Sequence, residues 1–281
     1  MNTQSLGLEL AVDLARFLTG REHLHYGLWL DGMEVSVSNL LAAQDAYNER
    51  ILSMFPQAEG LRVLDIGGGT GEFAKGLVQG GRQVEIVVPD EYLANRCREN
   101  AGPTVPVHGT TFEDFTCDRQ FDVCLFAESL QYIDLRTALN KATELLTSNG
   151  VIIVGDCFRI SDGVAASGER AIGGGHPLEA FRNEIARLSL STLREEDVTA
   201  EVAQSIELER QFYEVVGGMA SKIDSALREN YPLSHWFLSR FMSRKLVGKL
   251  KRRISNDERS VEEFCRHNCY LMVLLHRSAI A

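Results

Sequence analysis

Three short clusters hold the residues whose types and spacing could do chemistry. The first is Val63-Leu64-Asp65-Ile66-Gly67-Gly68-Gly69-Thr70-Gly71, an apolar run that enters an acidic residue and then a glycine turn. Glycines at alternate positions let a backbone turn tightly and approach a ligand, and the first N–H groups of a following helix are free to donate to it. Gly67, Gly68, Gly69 and Gly71 therefore suit a nucleotide-type cofactor, with the Asp65 carboxylate at the edge of the turn. The second cluster, Ala127-Glu128-Ser129-Leu130-Gln131-Tyr132, follows another apolar run. The third is Asp156-Cys157-Phe158-Arg159, after which comes a glycine-rich loop ending in His176.

These clusters need elements that bring them together. From Leu61 to Asp156 the pattern alternates: strands at Arg62-Ile66, Val84-Val88, Val105-His108, Phe121-Ala127 and Val151-Asp156, with helices starting at Thr70, Glu91 and Leu135. Near-continuous apolar strands separated by helices predict a doubly wound α/β fold, a parallel sheet covered on both faces. Ligands bind such sheets beyond the carboxyl ends of the strands, so Asp65, Val88, Thr110, Glu128 and Asp156 should border one crevice.

Asp65 with Gly67-x-Gly69-x-Gly71 resembles motif I of the class I S-adenosylmethionine (SAM) methyltransferases. Phe121-Asp122-Val123 and Asn149-Gly150-Val151-Ile152-Ile153-Val154 resemble later motifs of the same family. The resemblance implies a Rossmann-like seven-stranded sheet and SAM as cofactor, with S-adenosylhomocysteine as product. It also implies that the glycine turn packs on the methionine part of the cofactor while Asp65 positions its ammonium group. Two positions depart from the family. Val88 stands where relatives carry an acid for the ribose hydroxyls; Asp90, or Glu91, is the substitute, and helix N-capping is the other reading of Asp90. Thr110 stands where relatives often have an aspartate on the adenine amino group. Phe112 would stack on or flank the adenine, or else be an ordinary core contact. Ala127 would line the cofactor, and Glu128, Gln131 and Tyr132 the reacting methyl.

Residues 1–58 read as a helical cap, with apolar residues at helical spacing over Leu6–Leu18 and Val37–Phe55. Between them runs His25-Tyr26-Gly27-Leu28-Trp29, similar to a cap loop in small-molecule and lipid methyltransferases, where a later helix carries Ala-Gln, here Ala43-Gln44. The likeness implies that Tyr26 and Gln44 cover the cofactor and Trp29 lines the substrate pocket; alternatively, Tyr26 and Trp29 anchor the cap. The core is expected over 59–200, with a sixth strand at Leu188–Leu193, and a helical lid over 201–265 precedes a last strand within 266–281. Phe212, Tyr213, Val216, Met219, Tyr231, Trp236, Phe237, Phe241 and Met242 are too many apolar positions for a solvated arm. They should pack on core and cap, with Tyr213 and Trp236 in the pocket. Arg240, Arg244, Lys245, Lys249, Lys251, Arg252 and Arg253 form a basic run that suits a solvated face, an anionic surface or a phosphorylated substrate.

His176 is the first candidate for a base or orienting group if the acceptor is O–H or N–H, its other reading being a solvated loop histidine. Tyr132, Glu128 and His25 are the further candidates. Arg159 would bind an anionic substrate or pair with a surface carboxylate. Cys265-x-His267-x-Cys269 lacks the spacing of a structural zinc site, so no metal is expected.

With 281 residues, 44% of them apolar, and a formal charge of −10, the chain can bury a full core and has no broad polyanion footprint. Six scattered cysteines, no signal-like start and no long apolar run predict a reduced cytoplasmic protein without stable membrane insertion. A small-molecule substrate and no nucleic acid are expected, and a homodimer is compatible. The leading reading is a SAM-dependent methyltransferase acting on a small, apolar or ring-bearing molecule. A non-catalytic protein that kept the fold, motivated by Val88 and Thr110, and an NAD(P)-dependent oxidoreductase are the alternatives.

Overall fold

The structure, a computed structural model, describes residues 3–160, 174–231 and 260–277. Seven strands form one sheet: β1 (Arg62–Ile66), β2 (Gln83–Val87), β3 (Val107–His108), β4 (Phe121–Ala127), β5 (Leu146–Arg159), β6 (Leu190–Asp197) and β7 (Asn268–Arg277), in the order β3-β2-β1-β4-β5-β7-β6. β1 to β5 are parallel, while β7 runs antiparallel between β5 and β6. The sheet is thus doubly wound but mixed. Apolar runs reveal burial on two faces and carry no information about strand direction, which is why the sequence suggested a purely parallel sheet.

Successive residues on each strand face opposite layers. Val63, Val123, Leu125 and Ile153 pack with residues of α2 (Leu40–Leu52), α3 (Glu72–Gln79), α4 (Glu91–Ala101) and α7 (Thr199–Asn230). Leu64, Cys124, Phe126 and Ile152 pack on the other side with α5 (Leu135–Leu145) and α6 (Leu178–Arg187). α1 (Thr3–Thr19) begins the cap, and α8 (Val261–His267) leads into β7. Asp134 and Ser260 cap α5 and α8 by accepting from the N–H groups of Thr137 and Glu263.

Two expectations on this side of the chain are corrected. β6 runs on through Arg194-Glu195-Glu196-Asp197 because it is an edge strand paired only with β7, where charged side chains reach water. The start of the expected lid is core: Val202, Ala203 and Ile206 on α7 are at most 1% exposed. Further along that helix Phe212 and Met219, and Tyr231 at its C-cap, all expected to be packed, are 38%, 58% and 63% exposed. Trp236, Phe237, Phe241, Met242 and the basic run from Arg240 to Arg253 lie outside the described residues.

Candidate active site

The order β2-β1-β4 places the ends of two oppositely wound halves side by side, and the glycine turn fills the gap between them. Gly67, Gly69 and Gly71 all have positive φ, at 79°, 56° and 80°. Gly71 could not carry a side chain, since a Cβ there would lie 2.9 Å from the Cα of Cys97 on α4. At Gly69 nothing lies within 4 Å of the Cβ position, so the turn is open on the crevice side. Ser129 closes the other side: it packs against Gly67, and its hydroxyl donates to the Ile66 carbonyl.

Asp65, the last residue but one of β1, is 2% exposed, and burial alone acts on its carboxyl, with no hydrogen-bond donor to it among the described residues. A Cβ on Gly68 would come within 2.7 Å of Asp65 Oδ2, which puts that oxygen directly beneath the turn. Burial raises its pKa from 3.8 to about 7. A shift of this size corresponds to roughly 4 kcal/mol against the ionised form, so a cation set beside Asp65 would be strongly favoured.

The cap is latched to this turn. Glu22, 4% exposed, accepts from Arg16 Nε at 2.8 Å, from Arg96 Nε at 2.9 Å and from Asn100 Nδ2 at 2.8 Å. Thr70 donates its hydroxyl to the Glu22 carbonyl at 2.8 Å, and Asn100 donates to the Thr70 carbonyl at 2.9 Å. Burial works against the Glu22 charge, but these donors outweigh it and lower the pKa to about 2. One buried residue therefore joins α1 and α4 through its carboxylate and the glycine turn through its backbone carbonyl, a connection with no signal in the sequence.

On the β2 side, Asp90 accepts at Oδ1 from the Leu93 N–H at 3.0 Å and is the N-cap of α4. Val88 is 2% exposed and binds backbone only, donating to the His108 carbonyl at 3.0 Å. Thr110 is partly buried just beyond β3. Phe112 is corrected to a core residue. It is 2% exposed, stacked on Phe115 at 6.4 Å, edge-on to Phe126 at 5.8 Å and approached by Lys141 Nζ at 5.5 Å, which leaves no free face for a purine.

Glu128 follows Ala127 at the end of β4 and is one of two non-glycine residues with positive φ, at 56°, among those described. Such a backbone costs of the order of 1 kcal/mol or more and persists where neighbours over-determine it. Its N–H donates to the Gly155 carbonyl at 2.7 Å. Oε1 accepts from the Tyr26 N–H of the cap at 2.9 Å and from the Tyr270 hydroxyl of β7 at 3.0 Å. Burial, with Asp156 as the neighbouring charge, raises its pKa to about 8 against the pull of those two donors. Asp156, 1% exposed, accepts from the N–H groups of Gln131 at 3.1 Å and Cys157 at 2.8 Å, and burial raises it to about 7.

The other candidates divide. His176 Nε2 lies 3.0 Å from both the Leu130 and Ile133 carbonyls, so that nitrogen carries the proton and ties the loop to the turn after β4; a free basic Nε2 is ruled out by geometry. His25 donates from Nδ1 to the Tyr26 carbonyl at 2.8 Å and stacks on Tyr47 at 4.5 Å, and burial lowers it to about 3. At that value it stays neutral and is too weak a base for the work expected of it. Trp29, expected in the pocket, is 3% exposed and donates from Nε1 to Ser205 on α7 at 2.9 Å, so it anchors the cap. Gln44 is 4% exposed and donates to the His25 carbonyl at 3.0 Å, holding the cap loop from beneath. Arg159 Nε donates to the Gly175 carbonyl at 3.0 Å. Gln131 reaches toward Gly174, and Tyr132 stands 80% exposed. Tyr213 lies on α7 with its ring edge-on to Phe212 at 5.7 Å, and Trp236 falls outside the described residues.

Residues 64–154 match the methyltransferase domain family. Among curated proteins, no sequence matches this chain. Among solved structures, the 4+2-cyclase SpnF superposes with a TM-score of 0.70 at 16% identity, over 99% of this chain and 98% of that one. Geranyl diphosphate C-methyltransferase from Streptomyces coelicolor A3(2) gives a TM-score of 0.66 at 15% identity, over 95% of this chain and 92% of that one. The cyclopropane synthase MmaA2 from Mycobacterium tuberculosis gives 0.64 at 15% identity, over 95% of each chain. At such identities the likeness is one of fold. The domain match over residues 64–154 and the order of the sheet agree on a methyltransferase domain with the fold of the class I SAM-dependent enzymes. The cofactor of that domain is SAM, and the residues present fit it: a buried, partnerless Asp65 suits the ammonium group, and the open face at Gly69 leaves room for the methionine part.

Proposed function

We propose that this chain transfers a methyl group from SAM to an O–H or N–H group on a small, largely apolar molecule, with Glu128 taking the proton. Bound SAM supplies a methyl activated by a sulfonium, whose carbon–sulfur bond breaks as the carbon–acceptor bond forms. The chain's own residues have three tasks. Asp65 and the turn from Gly67 to Gly71 hold the cofactor end. Tyr26 and Gln44 belong to the cap over the crevice and exclude water from it. Asp90, its Oδ1 engaged in capping α4, has Oδ2 left for the ribose in place of the missing acid at Val88. Glu128 receives the acceptor proton on Oε2, while Oε1 stays engaged with Tyr26 and Tyr270.

The observation that carries this reading is the state of Glu128. It is a carboxyl at the crevice end of β4, on a left-handed backbone, with one oxygen held by two donors and a pKa of about 8. A base poised near neutrality transfers protons most effectively. The apolar class of acceptor is supported by the names of two structural neighbours, a geranyl diphosphate C-methyltransferase and a cyclopropane synthase. A cytoplasmic location is supported by six free cysteines, and no helix among the described residues is long and apolar enough to cross a membrane. A homodimer is compatible with this reading, and light scattering would decide it.

The test is methyl transfer from radiolabelled SAM to a probe panel of farnesol, dodecylamine and 1-naphthol, read by extraction of label into solvent. Label on at least one probe, lost in Glu128→Gln while calorimetry finds SAM still bound, is the expected result. Failure of the wild type to bind SAM would sink the whole reading; full transfer by Glu128→Gln would sink the part assigned to that residue.

A further inference from the structure

Two tyrosines stand behind Glu128 without a part in the reaction as described. Tyr270 on β7 is 0% exposed and Tyr47 on α2 is 1% exposed, and their hydroxyl oxygens lie 2.9 Å apart. A phenol has one proton to give. Tyr270 lies 3.0 Å from Glu128 Oε1, a carboxylate oxygen that can only accept when ionised, so the Tyr270 proton points to Glu128 and Tyr47 donates to Tyr270. The hydroxyls thus line up in one direction, from the core toward the crevice, and each bond strengthens the next.

Gly155 makes room for this line. A Cβ at that position of β5 would lie 2.8 Å from Tyr47 Oη and 2.8 Å from Ile51 Cδ1. Glycine weakens a strand interior and often marks close approach by another group, here a hydroxyl. The Gly155 carbonyl meets the same group: it accepts from the Glu128 N–H and lies 3.3 Å from Tyr270 Oη and 3.4 Å from Tyr47 Oη. One strand position therefore fixes both the backbone and, through the tyrosines, the side chain of Glu128.

We propose that Tyr270, backed by Tyr47, is a positioning residue: it holds Glu128 Oε1 so that Oε2 faces the acceptor, and it stabilises the carboxylate that must receive the proton. The proposal rests on the assignment of Glu128 as the base. The groups that face Glu128 are the Tyr26 N–H from the cap, Tyr47 from α2, Asp156 from β5, Tyr132 from the turn after β4 and Tyr270 from β7. Asp156 raises the Glu128 pKa, whereas the bonds from Tyr270 and Tyr26 lower it. Loss of the Tyr270 hydroxyl must therefore move Glu128 upward.

An infrared pH titration of the SAM-free protein tests this without an acceptor, reading the carboxylic-acid band that Glu128→Gln removes; Asp156→Asn identifies the neighbouring band. Tyr270→Phe should raise the midpoint of the Glu128 band by about one pH unit, the effect of losing one hydrogen bond to a charged group. Tyr47→Phe should move it the same way by less, with SAM affinity unchanged in both. With the probe that accepts label, Tyr270→Phe should lower kcat more than it raises KM, and shift the ascending limb of the pH profile upward. An unmoved midpoint in a folded Tyr270→Phe overturns the proposal, even where Glu128→Gln is inactive. Should Tyr270→Phe fail to fold, an unmoved midpoint in Tyr47→Phe does the same. Full transfer by Glu128→Gln overturns the assignment of the base instead, and the positioning role falls with it.

Discussion

Gly69 and His176 make opposite demands on the crevice. Gly69 has positive φ and open space around its Cβ position. Gly69→Val would fill the room for the methionine part and strain the backbone, so calorimetry should find SAM binding abolished while far-UV circular dichroism stays near wild type. Retained affinity would show that the cofactor does not approach this turn. His176 pins two carbonyls of the turn after β4. His176→Ala should lower the melting temperature, since the one N–H shared by the two carbonyls is lost, at about 1 kcal/mol. The ascending limb of the wild-type pH profile should remain, and its disappearance would return His176 to the part of base.

Elements enter through their attachments. Asp90 caps α4, so Asp90→Ala should cost about 1 kcal/mol in urea unfolding. If Oδ2 also holds the ribose, SAM affinity falls in the same variant by about tenfold; unchanged affinity would make Asp90 a cap alone. The latch at Glu22 joins α1, α4 and the glycine turn. Glu22→Gln keeps the shape but removes the charge that three donors face, and should cost about 2 kcal/mol, partial exposure of Arg16 limiting the loss. Hydrogen exchange should quicken in α1 and at Thr70 ahead of the sheet, and uniform exchange would mean that the cap is not held there.

For the whole molecule, three buried carboxyls dominate the pH response. Asp65 and Asp156 are raised to about 7 and Glu128 to about 8, all chiefly by burial. A raised acid stabilises the fold below its unfolded pKa and loses that contribution as pH rises through the folded value. Glu22, lowered to about 2, works the other way and loses its contribution only as pH falls toward 2. The SAM-free protein should therefore be most stable near about pH 4 and weaken steadily from there toward pH 8, by denaturant titration. SAM should bind about tenfold more weakly for each pH unit below 7, because its ammonium group must displace the Asp65 proton, and bind evenly from there until that ammonium itself begins to lose its proton. Asp65→Asn should flatten this dependence. A Kd independent of pH in the wild type would remove Asp65 from the ammonium site.

The order of strands and helices through β5, the glycine turn and the methyltransferase domain were legible in the sequence, because they rest on local spacing: short apolar runs between helical stretches, glycines at alternate positions, an acid before the turn. The approach of Glu128 and Asp156 to one crevice also followed from strand ends alone. Long-range partners were not legible. Tyr270 is 142 residues from Glu128 and Tyr47 is 223 from Tyr270, and nothing in their neighbourhoods along the chain distinguishes them from core aromatics. The one trace was Gly155, a glycine inside an apolar strand. Tertiary structure likewise decided that Trp29 anchors, that Phe112 packs in the core and that His176 is a tie. Which face of a ring is covered and which lone pair is already taken depend on the neighbours that folding brings up, and those come from other elements.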